Sequence, residues 1–436
     1  MFVNLQLTEE LFQHIWALRL FSQNNLTTTT GEAVKIISPG TLNLHDGPDF
    51  QAARVRIGDT LWAGNVELHL KTSDWFRHGH QSNPQYQQVI LHVVFMHDLP
   101  PGKALEIPCL ELQQHIPKVL LQRYEQLRQL APFVPCGPGI ERVPELTWTS
   151  WKDRLLAERW ERKTENFKAW LLCNQYNWEE VCYWALSQSY GAPVNAMPFL
   201  QLAQSLPFTL LLRYRNNLLH LEALLFGQAG MLTGPLTDEY ALTLQRLYQH
   251  LRHKHGLVPL PVHIWNWMRI RPAAFPSIRL AALAAFLQQT PRAFAKILDA
   301  ESLDDLAGLF NTCPSPYWHT HYRFNQATAQ TQLPGLQMVH NLIINTALPL
   351  LMLYGQVKHK KYYQQKAIDL LQQLPPEKNT VLDNWKKLGA KVHNALDSQA
   401  LLQLKRYYCE EKKCLKCAVG IRILSEGLQE PAKKGK

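Results

Sequence analysis

Val66-Glu67-Leu68-His69-Leu70-Lys71 alternates apolar with ionisable residues, and Gly47-Pro48-Asp49-Phe50 lies a short stretch upstream. A strand sends successive side chains to opposite faces. Glu67, His69 and Lys71 are therefore expected on one face, with Val66, Leu68 and Leu70 packed behind them. A carboxylate, an imidazole and an ammonium on an otherwise apolar strand are costly to bury unless they pair or bind something. This strand is the expected reaction centre.

Outward from it, the flanking residues keep the strand period. Ala33–Ser38, Ala53–Ile57, Leu61–Lys71 and Val89–Met96 are short alternating or β-branched runs separated by Pro-Gly, Asp-Gly and Gly-Asp turn signals. Gly58-Asp59 predicts a hairpin. Thr8–Phe21 reads as a helix: Thr8 can cap, Glu9 and Glu10 suit the positive end, and Leu11, Ile15, Leu18 and Phe21 form an apolar stripe. The order helix, three strands, short helix or turn over Asn83–Gln88, strand is α+β. Lys103–Leu112 is a candidate edge strand and Pro117–Leu130 a candidate helix.

A Pro-rich linker is expected at 131–147, carrying Pro132, Pro135, Pro138 and Pro144. It would separate an α+β domain, 1–130, from a helical domain, 148–404, and a cysteine-bearing basic tail, 405–436. Beyond the linker the period is helical over Trp148–Cys173, Trp178–Tyr190, Met197–Ser205, Pro207–Phe226, Asp238–His253, Ser277–Gln289, Arg292–Ala300, Met338–Tyr354, Tyr362–Leu374, Val381–Leu388 and Asp397–Glu411. No fixed repeat relates these segments, which argues against a regular solenoid.

The chain has 436 residues, a hydrophobic fraction of 46% and a net charge of +10. That length suits two or three domains, and the apolar content excludes wholesale disorder. Residues 1–130 hold 10 Lys+Arg against 12 Asp+Glu, so the positive excess belongs to the remainder. A polyanion such as DNA or RNA would meet that part first. No apolar run is long enough to predict a membrane span. Met1-Phe2-Val3-Asn4-Leu5 lacks the basic head of an export signal, so the eight Cys are expected as reduced thiols in a cytoplasm. Protein partners are left open, and the alternative to catalysis is a non-catalytic scaffold that binds nucleic acid or protein.

Several clusters carry chemistry. Asp49 and Glu67 can approach across an antiparallel pairing and offer oxygen ligands to Mg²⁺ or Mn²⁺, with Lys71 placed to steady charge or position water. The dull alternative is a turn-capping Asp49 and a cross-strand ion pair. His69 as a ligand or proton shuttle would favour Mn²⁺ or another transition metal. His69, His78, His80 and His92 supply a rival, a His-centred Zn²⁺ or Fe²⁺ site acting on a small molecule. Asp74-Trp75 either caps a turn or frames the pocket mouth.

Cys409, Cys414 and Cys417 bring three thiols together, and Lys405, Arg406, Lys412, Lys413 and Lys416 around them are expected to lower their pKa. A Zn²⁺ site or an iron–sulfur cluster needs a fourth ligand, from Cys136, Cys313 or His393. Cys109, Cys173 and Cys182 read as core. Trp265, Trp267, Arg269, Arg271, Phe275 and Arg279, then Tyr317, Trp318, His319, His321, Tyr322 and Arg323, interleave basic and aromatic residues in a pattern that can grip phosphate and stack bases. Glu222 and Gln228 are expected to tie an apolar helix end into the core.

Pro48-Asp49 followed by Glu67 and Lys71, in this helix–strand order, resembles the PD-(D/E)XK nuclease superfamily over residues 8–97. The resemblance implies a nuclease-like mixed sheet, a divalent cation and phosphodiester cleavage. It sets Asp49 at the opening of the second core strand and an acid-x-Lys pair on the third. Counted back from Lys71, the acid's place holds His69, with Glu67 two residues earlier. Glu10 of the first helix could lend a further acid. Some nucleases of that superfamily carry an iron–sulfur cluster on one upstream and three C-terminal cysteines, an outline similar to Cys136 and Cys409–Cys417. The whole chain is similar to a bacterial family known as domain of unknown function 2851. That likeness rests on His45-x-Gly47-Pro48-Asp49-Phe50, Trp62–Lys71, Ser73-Asp74-Trp75, Leu224–Gly230, Asp397–Lys405 and the cysteine cluster.

Overall fold

The alternating stretch becomes the middle of a mixed sheet in the computed structural model, which describes residues 7–100, 105–128, 133–330 and 333–427. The elements leading to it are helix α1 (Glu9–Ala17) and strands β1 (Val34–Ser38), β2 (Thr41–Leu42), β3 (Phe50–Ile57) and β4 (Thr60–Lys71). A short helix α2 (Asp74–Arg77), strands β5 (Val89–Met96) and β6 (Cys109–Glu111), and helix α3 (Lys118–Arg128) follow. The sheet order is β1-β3-β4-β5-β6, with β2 beside β3. β1, β3 and β4 are antiparallel, and β5 and β6 run parallel to β4.

Local chemistry explains these elements. Thr8 accepts the Leu11 N–H at 3.2 Å and so caps α1. Gly58 takes φ 56° in the two-residue turn that returns β3 to β4, a conformation glycine adopts without strain. Gly64 has no room for a side chain, because a Cβ there would lie 2.4 Å from Ile90 Cγ2. β3 bulges between Phe50 and Ala53, where Ala52 takes φ 57°.

One face of the sheet is apolar. Val66, Leu68, Leu91 and Val93 pack with Leu11, Phe12, Ile15 and Trp16 of α1, all fully or almost fully buried. Each such side chain contributes roughly 1.5–3 kcal/mol on burial. Leu68→Ala is the single change that would open this layer. The opposite face carries Glu67, His69 and His92, covered by the segment 72–88.

The chain forms two compact units. The first holds residues 1–153, 383–390 and 402–436, and the second holds 154–382 and 391–401. The second is helical around Leu221, Phe226, Leu280, Phe286, Ile343 and Leu350, all fully buried. Expected helix Pro207–Phe226 is two, Phe208–Tyr214 and Leu218–Gln228, because Asn217 caps a new start through Leu219 N–H. A capped helix Leu303–Phe310 and a small hairpin, His321–Arg323 with Gln326–Ala327, were not read from the period. Both are too short for periodicity to resolve.

Among the described residues, Leu336–Val357 is one helix long and apolar enough to cross a bilayer, and it is mostly buried in protein. Glu430–Lys436 of the expected basic tail, Ala131 and Pro132 of the linker, and Met1–Leu5 lie outside the described residues.

Candidate metal centre on the sheet

The polar face is assembled by strand register. Phe50 pairs with Val66, which sets Asp49 opposite Glu67. The Asp49 N–H donates to Glu67 Oε2 at 2.9 Å, and Asp49 Oδ2 accepts the Leu68 N–H at 3.1 Å. Gln13 of α1 donates to Asp49 Oδ1 at 2.8 Å. On β5, His92 stands beside Glu67 in the parallel register.

The imidazoles form a chain. His69 Nδ1 lies 2.9 Å from His92 Nε2, and His69 Nε2 lies 3.0 Å from His78 Nδ1. Glu67 Oε1 is 3.3 Å from His80 Nε2 and 3.6 Å from His69 Nε2. One nitrogen from each of His69, His78 and His80 falls within 4.8 Å of the others. The turn His78-Gly79-His80, with Gly79 at φ 73°, brings the two loop imidazoles back over the sheet. Tyr86 stacks on His80 at 3.8 Å, and Trp75 packs against His80 and His92. The Nδ1 atoms of His80 and His92 are buried without a hydrogen-bond partner.

Crowding shifts the titration of every group at this site for which a shift is resolved. Burial, then the Asp49 charge, pushes the Glu67 carboxyl up to about 8. Burial pushes Asp49 up to about 6, against the opposing pull of the Leu68 N–H and with a further upward push from Glu9. Burial, then His92, His80 and His78, holds His69 down to about 2. His92 is held down to about 3, first by burial and then by His80. Burial and then His78 also lower His80.

Of the groups expected to meet, the structure brings Asp49, Glu67 and His69 together and leaves Lys71 apart. Lys71 is exposed at the strand end, its N–H donates to Asp74 Oδ2 at 3.2 Å, and its ammonium acts on Asp98. Asp74 is the turn cap, also paired with Arg77 at 3.0 Å. Glu10 is 3.9 Å from Lys416, while the first-helix acid felt at the site is Glu9. Gln13 and Tyr86 were not singled out from sequence. Gln13 lies one helical turn beyond Glu9 on the polar side of α1, which is the only signal it gave.

In the second unit, Arg269 and Arg271 are exposed, and Arg269 takes φ 58°. Arg279 is half-buried, with its guanidinium on the Met338 sulfur. Arg323 lies over the Trp267 ring at 4.2 Å. Gln228 ties its helix end to Val258 O at 2.8 Å.

The cysteines depart from expectation in two respects. Burial pushes Cys136 up to about 12 and Cys417 up to about 11, and raises Cys409 and Cys414 as well. Lys405 and Lys412 pull the other way and are outweighed, so the surrounding lysines do not lower these thiols. Cys109 and Cys182 are buried as expected, but Cys173, at the end of a helix, is exposed.

These features define a two-unit chain whose first unit is a mixed sheet with an acid–imidazole cluster. The chain belongs to the family described as "Protein of unknown function (DUF2851)", whose model matches residues 9–380. No curated protein and no solved structure matches it.

Proposed function

We propose that the acid–imidazole cluster is a transition-metal centre and that the protein is a metal-dependent phosphodiesterase acting on nucleic acid. The observation that carries this reading is the donor spacing at Glu67, His69, His78 and His80. Tetrahedral bonds of ~2.0–2.1 Å imply ligand–ligand edges of about 3.3–3.4 Å. The contacts of 3.0, 3.3 and 3.6 Å bracket that value. The donor set suits Mn²⁺ or Zn²⁺ better than Mg²⁺, which prefers an all-oxygen shell.

The tautomers fit as well. If His69 Nδ1–H donates to His92 Nε2, the His69 Nε2 lone pair faces the same space as His78 Nδ1. That outer partner is the kind that orients a ligating imidazole. A cation there would also relieve the mutual repulsion of Asp49 and Glu67. When bound, it would supply Lewis-acid polarisation of water and of a phosphoryl oxygen.

The order helix, three main antiparallel strands (β1, β3 and β4) with the two-residue β2 beside β3, short helix, parallel strand supports the nuclease-like part of the reading. With Asp49 opposite Glu67, the acid-x-basic pair falls on Glu67-Leu68-His69, and Lys71 has no part in it. His69 is held neutral and so acts as a ligand or proton relay rather than a fixed positive charge. Exposed Arg269 and Arg271, with half-buried Arg323 beside them in the sequence pattern, are the proposed phosphate contacts of the second unit.

The test is cleavage of single- and double-stranded DNA and RNA by the full chain with Mn²⁺ or Zn²⁺, beside Glu67→Ala and His69→Ala. Cleavage lost in both variants is expected. No cleavage by the wild type, or equal cleavage by Glu67→Ala, ends the hydrolase reading; stoichiometric metal without turnover would mark a binding scaffold.

A further inference from the structure

The polar face of the sheet does not end at the imidazoles. β4 alternates without a break from Leu61 to His69, because the extra residues at its two irregular pairings lie on β3 and β5. Leu61, Ala63, Asn65, Glu67 and His69 therefore share one face. The segment 72–88 covers the Glu67 end of that face, whereas Leu61 and Ala63 at the other end are exposed. Strand register lays three cations on this open part. Arg56 stands opposite Leu61 on one side and Lys35 on the other, and Arg54 stands opposite Ala63. All three are exposed, while Val34, Ile36, Ala53, Val55 and Ile57 alternate with them and are buried on the apolar face.

Such an array is costly without an anion. Like charges directly opposite on paired strands repel, and Lys35 and Arg56 are such a pair. None of the three cations takes part in an ion pair or side-chain hydrogen bond among the described residues. The acids at this end, Glu32 and Asp59, sit outside the strands, before β1 and in the β3–β4 turn. A lysine on the edge strand β1 guards against strand addition, but β3 has neighbours on both sides, so Arg54 and Arg56 serve no such purpose. Their spacing selects the anion. Arg54 and Arg56 lie ~6.6 Å apart along β3, and Lys35 lies one strand over, ~4.8 Å away. A lone phosphate is held by converging donors; cations strung along a line match a chain of phosphates. Ala63 is ~13 Å from Glu67 along β4. The β4 side chains on that path, Ala63 and Asn65, are short.

We propose that this open face of β1, β3 and β4 is the track on which a nucleic-acid strand lies. Its phosphates would sit on Arg54, Arg56 and Lys35, and its length would run toward the acid–imidazole cluster. Resting on the nuclease reading of that cluster, the track makes the substrate a polymer held by several phosphates rather than a free nucleotide. The first unit carries its own phosphate contacts, although residues 1–130 have no positive excess.

The test is binding of labelled single-stranded DNA, duplex DNA and RNA to the full chain over a range of salt, in chelator so that metal-dependent cleavage does not interfere. Arg54→Glu and Arg56→Glu are compared with Lys118→Glu, an equal charge change on α3, which packs against the apolar core. Each reversed arginine should weaken binding uniformly across sequences and make the slope of log K against log salt shallower by ~0.7–0.9. Lys118→Glu should keep the wild-type slope. Urea unfolding checks the fold of each variant; should the Glu variants not fold, Arg54→Gln and Arg56→Gln read the same slope. Hydrolysis of bis(p-nitrophenyl) phosphate by metal-loaded wild type tests the cluster separately, since that small diester needs no track. Shallower slopes in the arginine variants alone support the track even where the diester is left intact, and the chain is then a binding scaffold. Wild-type slopes in the arginine variants overturn the track, as does an equal change in Lys118→Glu or a wild type that binds none of the three nucleic acids; diester hydrolysis would then leave the metal centre standing.

Discussion

Two buried carboxylates, Glu67 in the first unit and Glu222 in the second, meet very different company. Glu222 is fully buried and accepts hydrogen bonds from Tyr240, from Ser315 at 2.9 Å and from the Trp318 indole at 3.3 Å. Its burial raises its pKa, and each of these neutral donors pulls it back. Glu67, almost as buried, receives one backbone N–H and otherwise faces a second carboxylate and imidazoles. Neutral donors complete a carboxylate; imidazoles and carboxylates leave a set of lone pairs directed at one another. The first arrangement is a finished piece of core, and the second is one that the proposed cation would complete.

Breaking the finished cluster should have the larger effect on stability. Glu222→Ala removes the acceptor that Tyr240, Ser315 and Trp318 share and is expected to cost on the order of 3 kcal/mol. Denaturant unfolding followed at the tryptophans would measure it. A loss below that of an ordinary surface substitution would mean that the donors repartner and the contrast is false.

At Glu67 the sign is expected to reverse in metal-free protein. Its folded pKa is raised from 4.5 to about 8, so between those values the folded state holds a proton that the unfolded chain has released. Stability from this group is therefore full below pH 4.5 and lost as pH rises towards 8. In chelator, Glu67→Gln should gain on wild type over that interval by up to about 1.4 kcal/mol per pH unit. His69 and His92 act oppositely. Held down to about 2 and about 3, they remove stability as pH falls below 6.5, where the unfolded imidazoles charge. In wild type the two effects oppose each other between pH 4.5 and 6.5; in Glu67→Gln the acid loss should stand out there in urea unfolding measured across pH. Parallel pH profiles for the two proteins would remove this prediction.

His92 sharpens the contrast at a smaller scale. As the outer partner of His69, it should weaken metal binding about 10–100-fold when replaced by Gln. Calorimetric titration reads this, and an unchanged affinity would remove His92 from the site. Smallest of all, Lys71→Ala should leave metal affinity unchanged and shift stability by less than ~0.5 kcal/mol. A loss of affinity there would return Lys71 to the centre.

Much of this was legible in the residues because it is local. The alternation of Val66–Lys71 assigns Glu67 and His69 to one face, and Gly58-Asp59 marks the turn that pairs Asp49 with them. The face of Lys71 was legible too, but its exposure was not, since strand period says nothing of where the covering segment ends. That segment, with His78, His80 and Tyr86, is built of turns and 3₁₀ pieces without a period to read. Gln13 reaches Asp49 across 36 residues, a contact no local pattern encodes. Arg279 misleads for a related reason: nearly every position of Pro276–Gln289 is buried, so a basic residue there is no sign of a surface.

The most direct measurement is a titration of chelator-treated full-length protein with Mn²⁺, an ion that thiolates hold poorly, near neutral pH, beside His69→Ala, His80→Ala and Cys414→Ser. One ion per chain bound by wild type and Cys414→Ser, and abolished in both histidine variants, is the expected result. Wild type that binds no more metal than His69→Ala would show the imidazoles to be a self-satisfied hydrogen-bonded core, and the centre would be no metal site.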